Sequence, residues 1–239
     1  SGGNDSMNDV VLKGHDMVKI VIFFKRRPGM SVEDFQKHWR TTHADIIVRL
    51  PGIRRYVQSH ALASGYRKGE PVYDGVAESC FDDTQAMKAL AKMPEYAAVL
   101  ADEPNFIDAA SMGSIITDEY VIKDAPAPEN GVKSIDFVNR KEGMSVDDFQ
   151  KYWRETHGPL CRAEQAMRRY VQNHTRRAIY DSGRTPPYDG VAMAWFDDMQ
   201  ALRAAAPTPE FERLRADVEN FIARDRSPFV LTREHVILA

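Results

Sequence analysis

Cysteine is almost missing from this chain: Cys80 and Cys161 are the only two in 239 residues. Two thiols make no disulfide framework, and they do not form a metal-ligand cluster. That usage fits a reducing cytoplasm. No apolar run approaches the ~18 residues that cross a bilayer. The opening Ser-Gly-Gly-Asn-Asp has neither the basic nor the apolar segment of a signal peptide, so residues 1–16 read as a disordered start or a tag. An excess of one charge is missing too, since 32 Lys and Arg face 35 Asp and Glu. Basic clusters such as Lys25-Arg26-Arg27 are short and set among acids, which excludes nucleic acid as a partner. Glycine-rich phosphate loops and short His/Glu metal motifs are absent as well, so the expectation is no metal and no cofactor.

What is present is a duplication. Met30-Ser31-Val32-Glu33-Asp34-Phe35-Gln36-Lys37-His38-Trp39-Arg40 returns as Met144-Ser145-Val146-Asp147-Asp148-Phe149-Gln150-Lys151-Tyr152-Trp153-Arg154. Arg54-Arg55-Tyr56-Val57-Gln58-Ser59-His60 returns at Arg168, Tyr73-Asp74-Gly75-Val76-Ala77 at Tyr188, Asn105-Phe106-Ile107 at Asn220, and Glu119-Tyr120-Val121-Ile122 at Glu234. The spacing is 114 positions through Tyr56 and Tyr170 and 115 from Tyr73 and Tyr188 onward, so one residue was inserted between those points. Five blocks in the same order mean that the two halves share one fold. Residues 123–131, with prolines, charges and no apolar period, form a linker between a repeat at 17–122 and a repeat at 132–239.

Each repeat reads β-α-β-β-α-β. Residues 17–24 are a nearly continuous β-branched apolar run and predict a strand. Ser31 is placed as an N-cap with Glu33 and Asp34 in the first helical turn, and Val32, Phe35 and Trp39 share a helical face. Residues 53–62 and 76–81 predict two further strands, Asp82-Asp83 the cap of an Ala-rich second helix, and residues 115–122 the closing strand. An antiparallel sheet with its helices on one face must cover the other face, and a covalently attached second copy supplies the cover at high effective concentration.

The blocks Trp39-Arg40-Thr41-Thr42-His43, Leu50-Pro51-Gly52-Ile53-Arg54-Arg55-Tyr56-Val57-Gln58, Tyr73-Asp74-Gly75-Val76-Ala77-Glu78 and Phe81-Asp82-Asp83, with their second copies, resemble the EthD family of dimeric α+β barrels over nearly the whole of both repeats. The resemblance implies an α+β fold, two ferredoxin-like βαββαβ repeats forming an intramolecular dimeric α+β barrel, with pockets between helices and sheet or inside the barrel. It also implies a relationship to cofactor-independent monooxygenases and cyclases acting on polyketide-like aromatics, and to dehydratase-type steps and ether breakdown. It places His43 and His157 among the family's hallmark residues.

Candidate chemistry gathers in three places. His43 and His157 lie four residues beyond Trp39 and Trp153, one turn further on the apolar helix face, as candidate general bases or as helix-end histidines bonded to a carbonyl. On the second strand, alternation puts Arg54, Tyr56, Gln58 and His60 on one face and Ile53 and Val57 on the other, repeated by Arg168, Tyr170, Gln172 and His174. The polar row is expected to face the barrel interior or its mouth, as ligand contacts or as a satisfied network. The third place is where the copies differ: Asp136 stands for Ile22, Ser134 for Ile20, Glu78 for Met193 and His235 for Tyr120. Ser134, Asp136 and Val138 are expected to look into the barrel, with Asp136 either a site acid of raised pKa or the partner of an arginine such as Arg54 or Arg168. Trp195 is a further substrate-binding candidate. Cys161 reads as a small packing residue.

The leading reading is a cofactor-independent acid–base lyase, of dehydratase or decarboxylase type, acting on a small hydrophobic, aromatic or polyketide-like substrate. In it, His43 or His157 moves the proton, Tyr56 or Tyr170 donates to an oxyanion, and Asp136 is the second acid or base. A monooxygenase of the same barrel class and a non-catalytic carrier of hydrophobic ligands are the alternatives. The divergence between copies predicts one working pocket rather than two equal ones. Further homodimerisation through the helix faces is left open by the sequence.

Overall fold

The computed structural model describes residues 17–239; the segment read as a disordered start or tag lies outside them. The first repeat runs β1 (Val18–Phe24), α1 (Val32–His38), α2 (Ala44–Ile47), β2 (Ile53–Ala61), β3 (Gly75–Phe81), α3 (Thr84–Ala89), α4 (Pro94–Asp102) and β4 (Gly113–Lys123). The second runs β5 (Val132–Val138), α5 (Val146–Tyr152), α6 (Gly158–Ala163), β6 (Arg169–Thr175), α7 (Arg177–Asp181), β7 (Gly190–Phe196), α8 (Met199–Ala205), α9 (Pro209–Val218) and β8 (Phe229–Leu238). The helix starts are those the caps predict. Ser31 Oγ accepts from Asp34 N at 3.0 Å and Ser145 Oγ from Asp148 N at 3.1 Å. Asp83 and Asp198 cap α3 and α8, each accepting a backbone N–H at 2.7 Å.

The strands hydrogen-bond in the closed order β1-β3-β2-β8-β5-β7-β6-β4, so the molecule is an eight-stranded antiparallel α+β barrel. Among the described residues the chain divides into two compact units, 17–117 with Thr232–Ala239, and Asp118–Leu231. Each repeat's last strand therefore begins in one unit and ends in the other, β4 after Thr117 and β8 after Leu231.

Within each unit an aromatic group on the first helix anchors the core. Trp39 packs edge-on to Phe24 at 5.0 Å and beside Phe35 at 5.7 Å, and Trp153 lies 5.4 Å from Phe149. The Tyr-Asp-Gly blocks seat these tryptophans. A Cβ built on Gly75 would stand 2.6 Å from the Trp39 ring, and one on Gly190 2.5 Å from the Trp153 ring. The aspartates beside them tie down the chain just past the end of each repeat's first strand, β1 and β5. Asp74 accepts from Arg26 N, Arg26 Nη1 and Tyr66 OH, and Asp189 from Arg140 N, Arg140 Nη1 and Tyr180 OH, all at 2.9 Å or less. Both carboxylates are buried, and these donors replace the water they give up.

The first helix is not uniformly α-helical. Trp39–His43 and Trp153–His157 form a π-helical turn joining α1 to α2 and α5 to α6. A π turn widens the helix by one residue and exposes carbonyl lone pairs to outside donors. Gln58 Nε2 donates to Trp39 O and Gln172 Nε2 to Trp153 O, both at 2.8 Å.

Candidate active site

Each unit holds one principal cavity between its sheet and its helices. The first, about 310 Å³, is bounded by β1, β3, the π turn and α4 and carries Ile20, Ile22, Trp39, His43 and Tyr56 on its walls. The second, about 630 Å³, carries Ser134, Asp136, Trp153, His157, Cys161 and Tyr170 at the same places, and Arg215 and Arg224 besides.

The π turn aims the histidine of each repeat into its cavity while the last turn of the following long helix holds it from behind. His157 Nδ1 lies 2.8 Å from Asp217 Oδ2, and His43 Nδ1 lies 2.8 Å from Asp102 Oδ2. A carboxylate only accepts, so Nδ1 carries the proton and Nε2 keeps the lone pair for the cavity side. Burial lowers the pKa of both imidazoles, and the facing aspartate opposes that fall. The aspartates are held ionised. Burial pushes Asp217 up, but Tyr152 OH at 2.5 Å, Asn220 Nδ2 at 3.0 Å and His157 outweigh it, and the carboxyl stays below its ordinary range. Asp102 is lowered in the same way by Asn105, His38 and His43. Sequence reasoning misses residues 102 and 217, although the duplication carries the signal: both repeats read Asp-x-x-Asn-Phe-Ile at this point.

Asp136 stands on β5 across the second cavity from His157. Burial raises its pKa to about 6, and the 3.2 Å bond from Ser134 Oγ offsets only part of that. The expectation that Ser134, Asp136 and Val138 look into the barrel is corrected: they face the helices and line the cavity. The polar row of the second strand turns the same way, not inward as expected. Trp39 Nε1 donates to Tyr56 OH at 3.1 Å, Gln58 Nε2 to the same oxygen at 3.1 Å, and His60 Nε2 lies 2.9 Å from Gln58 Oε1. In the second unit Tyr170 OH takes the Trp153 indole and Gln172, and His174 Nε2 lies 2.8 Å from Gln172 Oε1. In a closed sheet both faces are buried, so hydrophobic alternation does not say which face meets the helices. The tryptophan N–H and the π-turn carbonyl need partners, and β2 and β6 provide them.

The remaining candidates lie outside the cavity walls. Arg54 sits where β2 slips register against β3, so it leaves the row and pairs on the surface with Asp82 at 2.9 Å, as Arg168 does with Asp197. Neither partners Asp136. His60 stacks on Trp39 at 4.2 Å with its pKa pushed down to about 2 by burial, His235 and Arg40, and His174 is likewise held neutral. His235 meets His60 edge-on at 4.9 Å. Glu78 and Trp195 point to the sheet face away from the helices. Glu78 bonds Lys19 Nζ at 2.5 Å, and Trp195 lies under Lys133 and Arg169. Cys161 is buried beside Tyr170, its thiol pushed up to about 12 by burial, in keeping with a packing role. Among the described residues no cluster of His, Cys, Asp and Glu could hold a metal, and no helix is long and apolar enough to cross a membrane.

Solved structures with the same fold include an anthrone oxidase-like protein, at 10% identity, TM-score 0.62 and coverage of 92% of this chain and 93% of that one. A protein provisionally assigned as a monooxygenase from Lactobacillus acidophilus NCFM is 11% identical, with TM-score 0.57, covering 92% and 94%. An ethyl tert-butyl ether D family protein from Bacillus halodurans C-125 is 23% identical over 42% of this chain and 95% of its own, with TM-score 0.35. No curated protein matches the sequence. The EthD domain profile matches twice, at residues 27–110 and 141–225, and with the two copies of one unit traced above the chain belongs to the EthD family as a tandem of two EthD domains.

Proposed function

We propose that the second-repeat cavity is the working site and that it oxidises a small aromatic substrate with dioxygen, needing no bound cofactor, from a proton abstraction by His157. One observation carries this reading. A mostly apolar cavity of about 630 Å³ is lined both by an imidazole backed by a carboxylate and by an acid whose pKa burial pushes up to about 6. His157 Nε2 takes the proton of an activated methylene, and Asp217 stabilises the imidazolium that forms. Apolar walls keep water from the carbanion and strengthen every charge interaction inside. The carbanion passes one electron to dioxygen, the two radicals combine as a peroxide anion, and the His157 imidazolium returns its proton to give the hydroperoxide. His157 then takes the second C–H proton as the O–O bond breaks to leave the carbonyl, and hands that proton on to restore Asp136. In balance, one methylene and one dioxygen become one ketone carbonyl and one water: two C–H bonds and the O–O bond break, and the two hydrogens leave on the second oxygen. Protonated Asp136 supplies the proton that leaves with the departing hydroxide. The first cavity has the same base but Ile22 in place of Asp136 on the sheet wall, and its one carboxyl, Glu103, comes from the end of α4 instead. Solved structures of this fold carry the names monooxygenase and anthrone oxidase-like, and those names support oxidation over elimination.

A second reading rests on Asp136 itself, because an acid titrating near neutrality also suits protonation of a leaving group in a lyase. Oxygen-electrode measurements with anthrone as the probe separate the two. Oxidation predicts one dioxygen consumed per anthraquinone formed, abolished in His157→Ala and reduced in Asp136→Asn. Anthraquinone formation and dioxygen uptake no faster with the protein than without it, or unchanged in His157→Ala, would overturn the oxidative reading.

A further inference from the structure

We infer that the first-repeat cavity is a second binding site, for a compact neutral molecule that carries one hydrogen-bond acceptor, and that Tyr56 is the group that selects it. The hydrogen bonds at Tyr56 point to such a ligand. Trp39 Nε1 and Gln58 Nε2 both donate to its hydroxyl oxygen at 3.1 Å. The orientation of Gln58 is fixed at both ends, since its nitrogen must donate to Trp39 O and its oxygen must accept from His60. With both lone pairs taken, the Tyr56 hydroxyl can act only as a donor. Its residue is 2% exposed and lines the cavity beside Ile20, Ile22 and Ile47. His43 and Ser79 share the walls, but the hydroxyl donates to neither and, among the described residues, is bonded only by Trp39 and Gln58. A buried hydroxyl proton without an acceptor is costly, and a ligand oxygen removes that cost.

The second repeat has a different solution at the same place. The residue matching Ile47 is Cys161, whose sulfur sits beside the Tyr170 hydroxyl and can take its proton. The charge pattern also separates the cavities. Asp136 and Ser134 of the second are Ile22 and Ile20 in the first. Arg215 and Arg224 correspond to Leu100 and Ala109. His43 is held toward its neutral form by burial, and burial raises the Glu103 carboxyl at the far wall. Lys88, at the rim, is exposed. A cavity of about 310 Å³ with this lining fits an uncharged ketone-type ring system and gives a carboxylate nothing to pair with inside. This site does not depend on the reaction proposed for the other one.

The test is a titration of the whole chain, labelled at the methionine methyls with carbon-13, by 1-tetralone and by tetralin, which has the same rings without the carbonyl. Met87 and Met112 line the first cavity and Met167 the second, so the two sites report separately. The expected result is saturable movement of the Met87 and Met112 signals by tetralone. Tyr56→Phe should weaken tetralone there about fivefold, the worth of one hydrogen bond, and leave tetralin unchanged. Tetralone that moves Met167 alone would overturn the inference without touching the proposed reaction. So would a Tyr56→Phe variant that binds both probes as the parent does, or that loses both equally.

Discussion

The two repeats are built on one plan and differ in what faces the histidine. Both keep the π turn, the His–Asp pair, the tryptophan seated over glycine and the tyrosine–glutamine row. Around that frame the first cavity is about 310 Å³ and has Ile20 and Ile22 on its first strand, while the second is about 630 Å³, has Ser134 and Asp136 at those places and adds Arg215 and Arg224. The shared parts hold the helix on the sheet, so they cannot drift without loss of the fold. The parts that differ are cavity-lining positions on β1 and β5 and on the α4 and α9 side, where a change alters chemistry and leaves the packing frame intact. A homodimer of one repeat would carry Asp136 in both copies; the fused chain carries it once.

The largest expected effect breaks the symmetry of the histidines. On the proposed reading, His157→Ala lowers turnover about 10²–10⁴-fold, the usual worth of a positioned base, whereas His43→Ala changes it less than about threefold. Steady-state rates of the two variants, each checked for folding by circular dichroism, decide this. Equal losses would mean that the second acid is not what makes a cavity work.

Next in size is a change that should leave the repeats alike. Gly75→Ala and Gly190→Ala each drive a methyl into a tryptophan ring at about the same separation. Each is expected to cost about 3 kcal/mol or more, because neither the ring nor the strand can move freely in a packed core. Urea unfolding of the two variants measures it. A large difference would show that one tryptophan is less tightly seated than the other.

The histidines and the glycines also mark what a sequence can and cannot reveal. The duplication, the strand order of each repeat and the serine and aspartate caps are readable, because each depends on local residue type and spacing. His43, His157, Tyr56, Tyr170 and Asp136 stand out in the sequence, and they divide cleanly between the two cavities. The facing of the strands is not readable. Val57 and Gln58 are both buried, so alternation reports two buried faces and does not name the one under the helix. The π turn is hidden because a Trp-x-x-x-His spacing fits an ordinary helix equally well. Asp102 and Asp217 lie roughly sixty residues from their histidines, a pairing that only the tertiary fold creates. Arg54 departs for a local reason, the register slip that removes it from its row.

The pH dependence of stability sharpens the contrast at Asp136. An acid whose folded pKa is raised to about 6 from 3.8 binds its proton more tightly when folded. It therefore costs nothing below about pH 3.8, destabilises the fold progressively as pH rises to about 6, and leaves a constant penalty above. A rise of that size corresponds to at most about 3 kcal/mol. Asp136→Asn should match the parent at about pH 3.5 and be more stable at about pH 7, with the gap opening between those values in urea titrations. Ile22→Asp, the reciprocal change, should bring the same slope into the first unit. A flat difference across pH would mean that the carboxyl is hydrated in its cavity.

The smallest effect tests whether the frames are equal where nothing chemical is at stake. Ser31 and Ser145 cap equivalent helices through bonds of 3.0 and 3.1 Å, both exposed. Replacing either with alanine orphans one backbone N–H that water partly recovers, and the expected loss is about 1 kcal/mol in each case. Each capped helix runs directly into the π turn that aims its histidine, so fraying at the cap has a second readout. If the π turn is held by Gln58 and Gln172 rather than by the cap, as the 2.8 Å bonds to Trp39 O and Trp153 O imply, Ser145→Ala lowers stability without changing turnover. A fall in turnover well beyond the loss of folded protein would show instead that the base is positioned from the helix start.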